Sequence, residues 1–167
     1  PGELPEGEQV LWQGTPSWES LAKRVFQVYT LSLYFIVLIV AHLIFRVMDG
    51  APASMISGTL AWQGGLAVSV IALLGLLAHL YAKGTLYTLT NRRLVIRSGV
   101  ALPMIINLPL SKVESAGLRR LRDGTGDITF LPTSDAKVYW MMLWPHVRPF
   151  HFKRVQPLLR GVEDPDV

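Results

Sequence analysis

Residues 25–47 read VFQVYTLSLYFIVLIVAHLIFRV, and residues 59–82 read TLAWQGGLAVSVIALLGLLAHLYA. Only Gln27, His42 and Arg46 are strongly polar in the first stretch, and only Gln63 and His79 in the second. Neither carries the polar stripe of period 3.6 that a helix resting on a soluble core requires. At about 1.5 Å per residue, each is long enough to cross a hydrocarbon layer of about 30 Å. Both are expected to be transmembrane helices. The connection over 48–58 is short and opens with Met48-Asp49-Gly50-Ala51-Pro52, a cluster of helix stoppers. So brief a link predicts two antiparallel neighbours. Lys23 and Arg24 precede the first span, Lys83, Arg92, Arg93 and Arg97 follow the second, and the link has only Arg46 at its rim. The positive-inside rule therefore predicts both termini in the cytoplasm and the link on the periplasmic side.

The rest of the composition agrees. Half of the 167 residues are hydrophobic and 17% are charged, against about 25% charged in ordinary soluble domains. There is no cysteine, which excludes a disulfide framework, a thiolate metal site, an iron–sulfur cluster and a cysteine nucleophile. Residue 1 is proline, so a natural start upstream is expected. Glu3, Glu6, Glu8 and Glu19 are unlike the basic n-region of a secretory signal. Within the N-terminal segment, 1–24, Thr15 and Pro16 read as the cap and first residue of a helix running unbroken into the first span. Trp12 and Trp18 are then expected near the lipid headgroups, as an aromatic belt or as docking residues.

Beyond Gly84 the grammar changes to short β-prone runs. Residues 85–99 read as two strands joined at Asn91-Arg92, and Met104–Leu110 as another. Val113–Leu121 and Asp127–Leu131 flank Asp123-Gly124-Thr125-Gly126, a hairpin signal. Val138–Leu143 is expected to add a strand, Val155–Leu159 a short helix interrupted by Pro157, and 161–167 an acidic tail. The predicted fold is an α+β membrane protein, a two-helix transmembrane hairpin followed by a small antiparallel β domain over 84–160. That domain holds 12 Lys/Arg against four acids, a net charge of +8. Such a charge, tethered at a membrane, is drawn to anionic headgroups or to an acidic protein surface.

Tyr87-Thr88-Leu89-Thr90-Asn91-Arg92-Arg93-Leu94 resembles the opening hairpin of bacterial pleckstrin-homology (PH-like) domains. Glu8-Gln9-Val10-Leu11-Trp12-Gln13-Gly14-Thr15-Pro16 resembles the Glu-x-x-Leu-Trp-x-Gly-x-Pro stretch that precedes their membrane helices. A closer resemblance is to the PuhB family, photosynthetic-complex assembly proteins of purple phototrophic bacteria. It covers nearly the whole chain, through Leu4-Pro5-Glu6-Gly7-Glu8, Ala101-Leu102-Pro103, Asn107-Leu108-Pro109, Asp123-Gly124-Thr125-Gly126-Asp127-Ile128 and Leu143-Trp144-Pro145-His146-Val147-Arg148-Pro149. The resemblance implies a PH-like fold in the inner, intracytoplasmic photosynthetic membrane. It also implies a role in assembling the reaction centre, by contact with its H subunit or with the surrounding light-harvesting 1 antenna. It brings no catalytic residues.

The residues themselves offer no enzyme. No nucleophile–base set, phosphate-binding glycine loop or metal cluster occurs. The spacing after Asp123 fails the EF-hand pattern, since position 134 is Ser. His42 and His79 lie too far apart along the spans to share a metal. Singly, each could ligate a bacteriochlorophyll magnesium or reach interfacial water. Trp144, Pro145, His146, Arg148 and Phe150 read either as a docking loop of the residue types that dominate interfaces or as a turn closing the domain. Arg119, Arg120 and Arg122 read as a partner-binding or merely solvated face, and Arg92, Arg93 and Arg97 as a headgroup surface. Nucleic acid is not expected as a partner. Gly64, Gly65 and Gly75 would allow close helix approach, to the neighbouring span or to a second copy. The expectation is a non-enzymatic docking protein without a resident cofactor. A pigment carrier and a general protein of anionic lipid surfaces are the rival readings.

Overall fold

A computed structural model describes residues 5–100, 104–134, 140–149 and 155–163. They divide into two compact units, one of residues 22–78 and one of residues 1–21 together with 79–167.

The first unit is helical. Helix α1 (Trp18–Arg24) enters it and stops. Gln27 adopts a left-handed conformation, φ 49°, which a right-handed helix cannot pass through. The helix expected to run unbroken from Pro16 is thus two, and α2 (Val28–Met48) starts afresh. At its far end the Gly50 N–H bonds the Val47 carbonyl and the Ala51 N–H the Arg46 carbonyl, with Gly50 at φ 66°. This is a Schellman termination, which calls for glycine. Pro52 then accepts the N–H groups of Met55 and Ile56, and α3 (Ala53–Lys83) is already under way. The link is therefore shorter than the expected 48–58. Both α2 and α3 are long and apolar enough to cross a membrane. No residue of α2 is buried, and side chains such as Tyr29, Leu33 and Phe45 face outward.

The second unit is antiparallel throughout. One sheet has the order β1-β2-β3-β4, and the other β5-β6-β7. Alternation sets the inner face. Along β2 (Leu86–Thr90) and β3 (Arg93–Ser98), Tyr87, Leu94 and Ile96 are buried while Arg97 is exposed. These join Leu108 of β4 (Met104–Pro109), Phe130 of β6 (Gly126–Pro132) and Leu159 and Val162 of β7 (Leu158–Val162) in one core. Strand β5 (Val113–Arg120) pairs with β6 across the Asp123-Gly124 turn, as expected.

Three further expectations are corrected. The N-terminal segment is not merely interfacial, because Val10–Gly14 forms β1 and pairs with β2 from Val10↔Thr90 to Gly14↔Tyr87. Trp140–Leu143 is a short helix, α4, where a strand was expected. Val138 and Tyr139 of that expected strand lie outside the described residues. The last apolar run is strand β7, not a helix, and it takes in the first two residues of the expected tail. Its Leu158, Leu159 and Val162 are all buried. Gly161 (φ 54°) lets α1 sit on this strand, since a side chain there would collide with Ser20, and its carbonyl takes the Ser17 N–H at 2.9 Å. Leu21 of α1 is wholly buried in consequence.

Candidate functional site

The Trp144-Pro145-His146-Val147-Arg148-Pro149 segment divides into an inward and an outward half. Helix α4 and the turn after it carry His146 under β2 and β3, where it is 0% exposed. Its Nδ1 lies 2.7 Å from the Tyr87 hydroxyl, and its Nε2 lies 3.0 Å from Ser98 Oγ and 3.2 Å from Thr85 Oγ1. The Arg160 backbone N–H donates to the Tyr87 oxygen at 3.2 Å. The Arg160 guanidinium holds the Pro145 carbonyl at 2.8 Å and the Val147 carbonyl at 2.9 Å. One proton arrangement satisfies the group: Tyr87 donates to Nδ1, and a neutral His146 donates from Nε2 to the paired hydroxyls of Thr85 and Ser98. Burial, aided by the Arg160 charge, pushes the imidazole down to about 3. Burial likewise pushes the Tyr87 phenol well above its ordinary value, against a smaller lowering by Arg160. Pro145 and His146, expected among the docking residues, are thus enclosed and hold the turn closed.

Trp144 and Arg148 face out. Trp144 is 41% exposed, and its ring stands edge-on to Tyr81 of α3 at 5.7 Å. Arg148 is exposed and tied to Gln156 by its backbone N–H and by Nη1, each at 3.0 Å. Phe150 lies outside the described residues. Arg119, Arg120 and Arg122 are all exposed, on β5 and the turn after it.

The expected headgroup residues separate too. Arg92 and Arg97 are exposed. Arg93 is engaged: its Nε meets Glu8 Oε1 at 2.9 Å, and Thr90 Oγ1 donates to the same oxygen at 2.7 Å. The Glu8 side chain is 1% exposed. Asn91 completes the clamp by accepting the Gln9 N–H and donating to the Gly7 carbonyl, both at 3.1 Å. The Glu-x-x-Leu-Trp stretch therefore fastens the β2–β3 turn. Trp12 is partly buried and packs against the core. Trp18 is about half exposed and stands edge-on to His79 at 6.3 Å.

In the helical unit His42 is engaged at both ring nitrogens. Arg46 Nε donates to Nε2 at 3.1 Å, so the proton sits on Nδ1, 2.6 Å from the Gln63 amide. Nδ1–H needs an acceptor there. Turning the amide over supplies Gln63 Oε1, an oxygen otherwise buried without a partner. A magnesium ligand from His42 would have to displace one of these bonds. Among the described residues, no three His, Asp or Glu side chains gather as a metal site. Sequence reasoning named the histidines but missed Tyr87, Thr85, Ser98, Arg160 and Gln63. Only the fold brings those partners to them.

Comparison with known proteins follows the same outline. The profile of the bacterial PH domain matches residues 26–143. Over 166 residues the chain is 32% identical to a 23.7 kDa protein in the puhA 5′ region of Rhodobacter capsulatus, covering 98% of this chain and 77% of that one. No solved structure matches.

Proposed function

This chain belongs to the bacterial PH domain family, and we propose that it is a membrane-anchored, non-enzymatic assembly factor for the photosynthetic reaction centre and its light-harvesting 1 antenna. The observation that supports the reading most is the relative from the puhA 5′ region, aligned over hairpin and domain alike. The helical hairpin holds the basic domain at the cytoplasmic face of the inner membrane. There it docks on reaction-centre subunits, the H subunit first. Confinement to one membrane raises the effective concentration of a partner, so weak contacts suffice and release stays easy. Trp144, braced by Tyr81, and Arg148, steadied by Gln156, offer a rigid aromatic and a cation, which are favoured anchors of interfaces. Arg92 and Arg97 steer the domain to anionic headgroups.

The test is affinity purification from pigmented membranes. The protein should bring down partly assembled reaction-centre complexes. Replacing Trp144 and Arg148 together by alanine should weaken that recovery while leaving membrane insertion intact. Unchanged recovery would remove the docking loop from the account. The purified protein should carry no pigment, and a coloured preparation that bleaches on His42→Ala or His79→Ala would establish the carrier reading instead.

A further inference from the structure

The pleat places Ala116 and Leu118 of β5 on the same face as their cross-strand partners Phe130 and Ile128, which lie in the core or pack against it. Residues on that face should be covered. Ala116 and Leu118 are instead exposed, Leu118 at 43%, and so is every residue from Glu114 to Arg120. Among the described residues β5 has a neighbour on one side only. The apolar face stops one strand short.

The register shows which backbone groups are left over. Leu121 N–H donates to the Thr125 carbonyl at 2.9 Å, so position 121 faces β6. By the alternation of antiparallel ladders, so do 119 and 117. The N–H and C=O groups of Ala116 and Leu118 therefore point to the open edge. Such a row is a template for another strand. Its surroundings are basic on balance, with Arg119, Arg120 and Arg122 exposed against the exposed carboxylates of Glu114 and Asp123. Asp127, which faces Arg119 across the ladder, is buried and accepts the Gly161 N–H through Oδ1.

We propose that the open edge of β5 takes up an extended acidic segment of a partner protein as a fourth strand of this sheet. Alternate apolar side chains of that segment extend the Phe130–Ile128 face past Ala116 and Leu118, and its carboxylates meet Arg119 and Arg122. This deepens the docking reading and rests on it.

The probe is a labelled peptide of alternating valine and glutamate, with its valine–lysine counterpart as control, added to the full chain in lipid nanodiscs. The acidic peptide should bind and slow hydrogen exchange at the Ala116 and Leu118 amides. Leu118→Pro removes one outward N–H, a change that edge positions tolerate, and Arg119→Glu with Arg122→Glu inverts the charge. Either variant should lose about tenfold or more in affinity. Equal binding of both peptides, or binding without protection of those amides, overturns the proposal. So does protection with no peptide present, which would mean that the chain's own residues or a second copy cover the edge. If the edge fails while reaction-centre complexes still co-purify, docking stands and strand pairing falls. If the edge binds but the complexes do not co-purify, docking on the reaction centre falls.

Discussion

At the residue scale, the telling side chain is His146. Protonating it would require Nδ1 to donate to a Tyr87 oxygen that already accepts from Arg160, and would place a cation beside the Arg160 guanidinium. The folded imidazole thus stays neutral to about 3, while the unfolded chain takes up its proton near the ordinary 6.5. Stability from this group is complete above about 6.5 and is lost as the pH falls toward about 3. A melting series from pH 8 to 4 (in steps of about one unit) should show the decline, and His146→Gln, which cannot take up the proton, should flatten it. Tyr87→Phe strands both the Arg160 N–H and His146 Nδ1, and should cost about 1–3 kcal/mol in urea unfolding. The sequence made the histidine conspicuous but not its direction. A Trp-Pro-His-x-Arg-Pro string is equally apt for a surface loop, and only the arrival of Tyr87 and Arg160 from other strands turns it inward.

At the element scale, the N-terminal stretch matters most. Glu8 is buried against Arg93 and Thr90, and Arg93 is a third exposed. The two partners are therefore unequal. Glu8→Gln leaves a cation that water can still reach, and should cost about 1–2 kcal/mol. Arg93→Leu leaves a buried carboxylate without its counter-charge, and should cost about 3 kcal/mol or more. Chemical denaturation of the two variants checks the order, and a reversed order would mean that the carboxylate finds another partner. The hairpins at Asn91-Arg92 and Asp123-Gly124 were legible because turn chemistry is local. Strand β1 was not. Val10-Leu11-Trp12-Gln13-Gly14 does not alternate, and it acquires strand character only by pairing with β2, far along the chain. Strand β7 hid behind Pro157, which sits in a bridge to Val147 just ahead of the strand and breaks nothing.

At the scale of the whole molecule, both long apolar helices are an insertion between two strands that lie side by side. Gly14 and Tyr87 are cross-strand partners, so the chain that leaves the sheet after β1 must return to it at β2. Two spans satisfy this, and one would not. In the membrane-anchored reading proposed above, the ends of the hairpin must therefore emerge on one face of the membrane, which agrees with the positive-inside expectation but does not depend on it. The absence of cysteine makes the check clean. Single cysteines at Gln13 and at Glu163 should react with an impermeant maleimide from the same side of sealed vesicles, and one at Gly50 only from the opposite side. Labelling of Gln13 and Gly50 from a shared side would refute the arrangement. The two long apolar helices were plain from hydropathy, whereas their place in the chain between two paired strands was invisible without the β1–β2 pairing. That placement also orders events during synthesis. Val10–Gly14 is made before its partner, which appears only after both long apolar helices have been synthesised. In the membrane-anchored reading the β domain closes only around a correctly threaded anchor, and a chain threaded once would leave β1 and β2 on opposite sides of the bilayer, unable to pair.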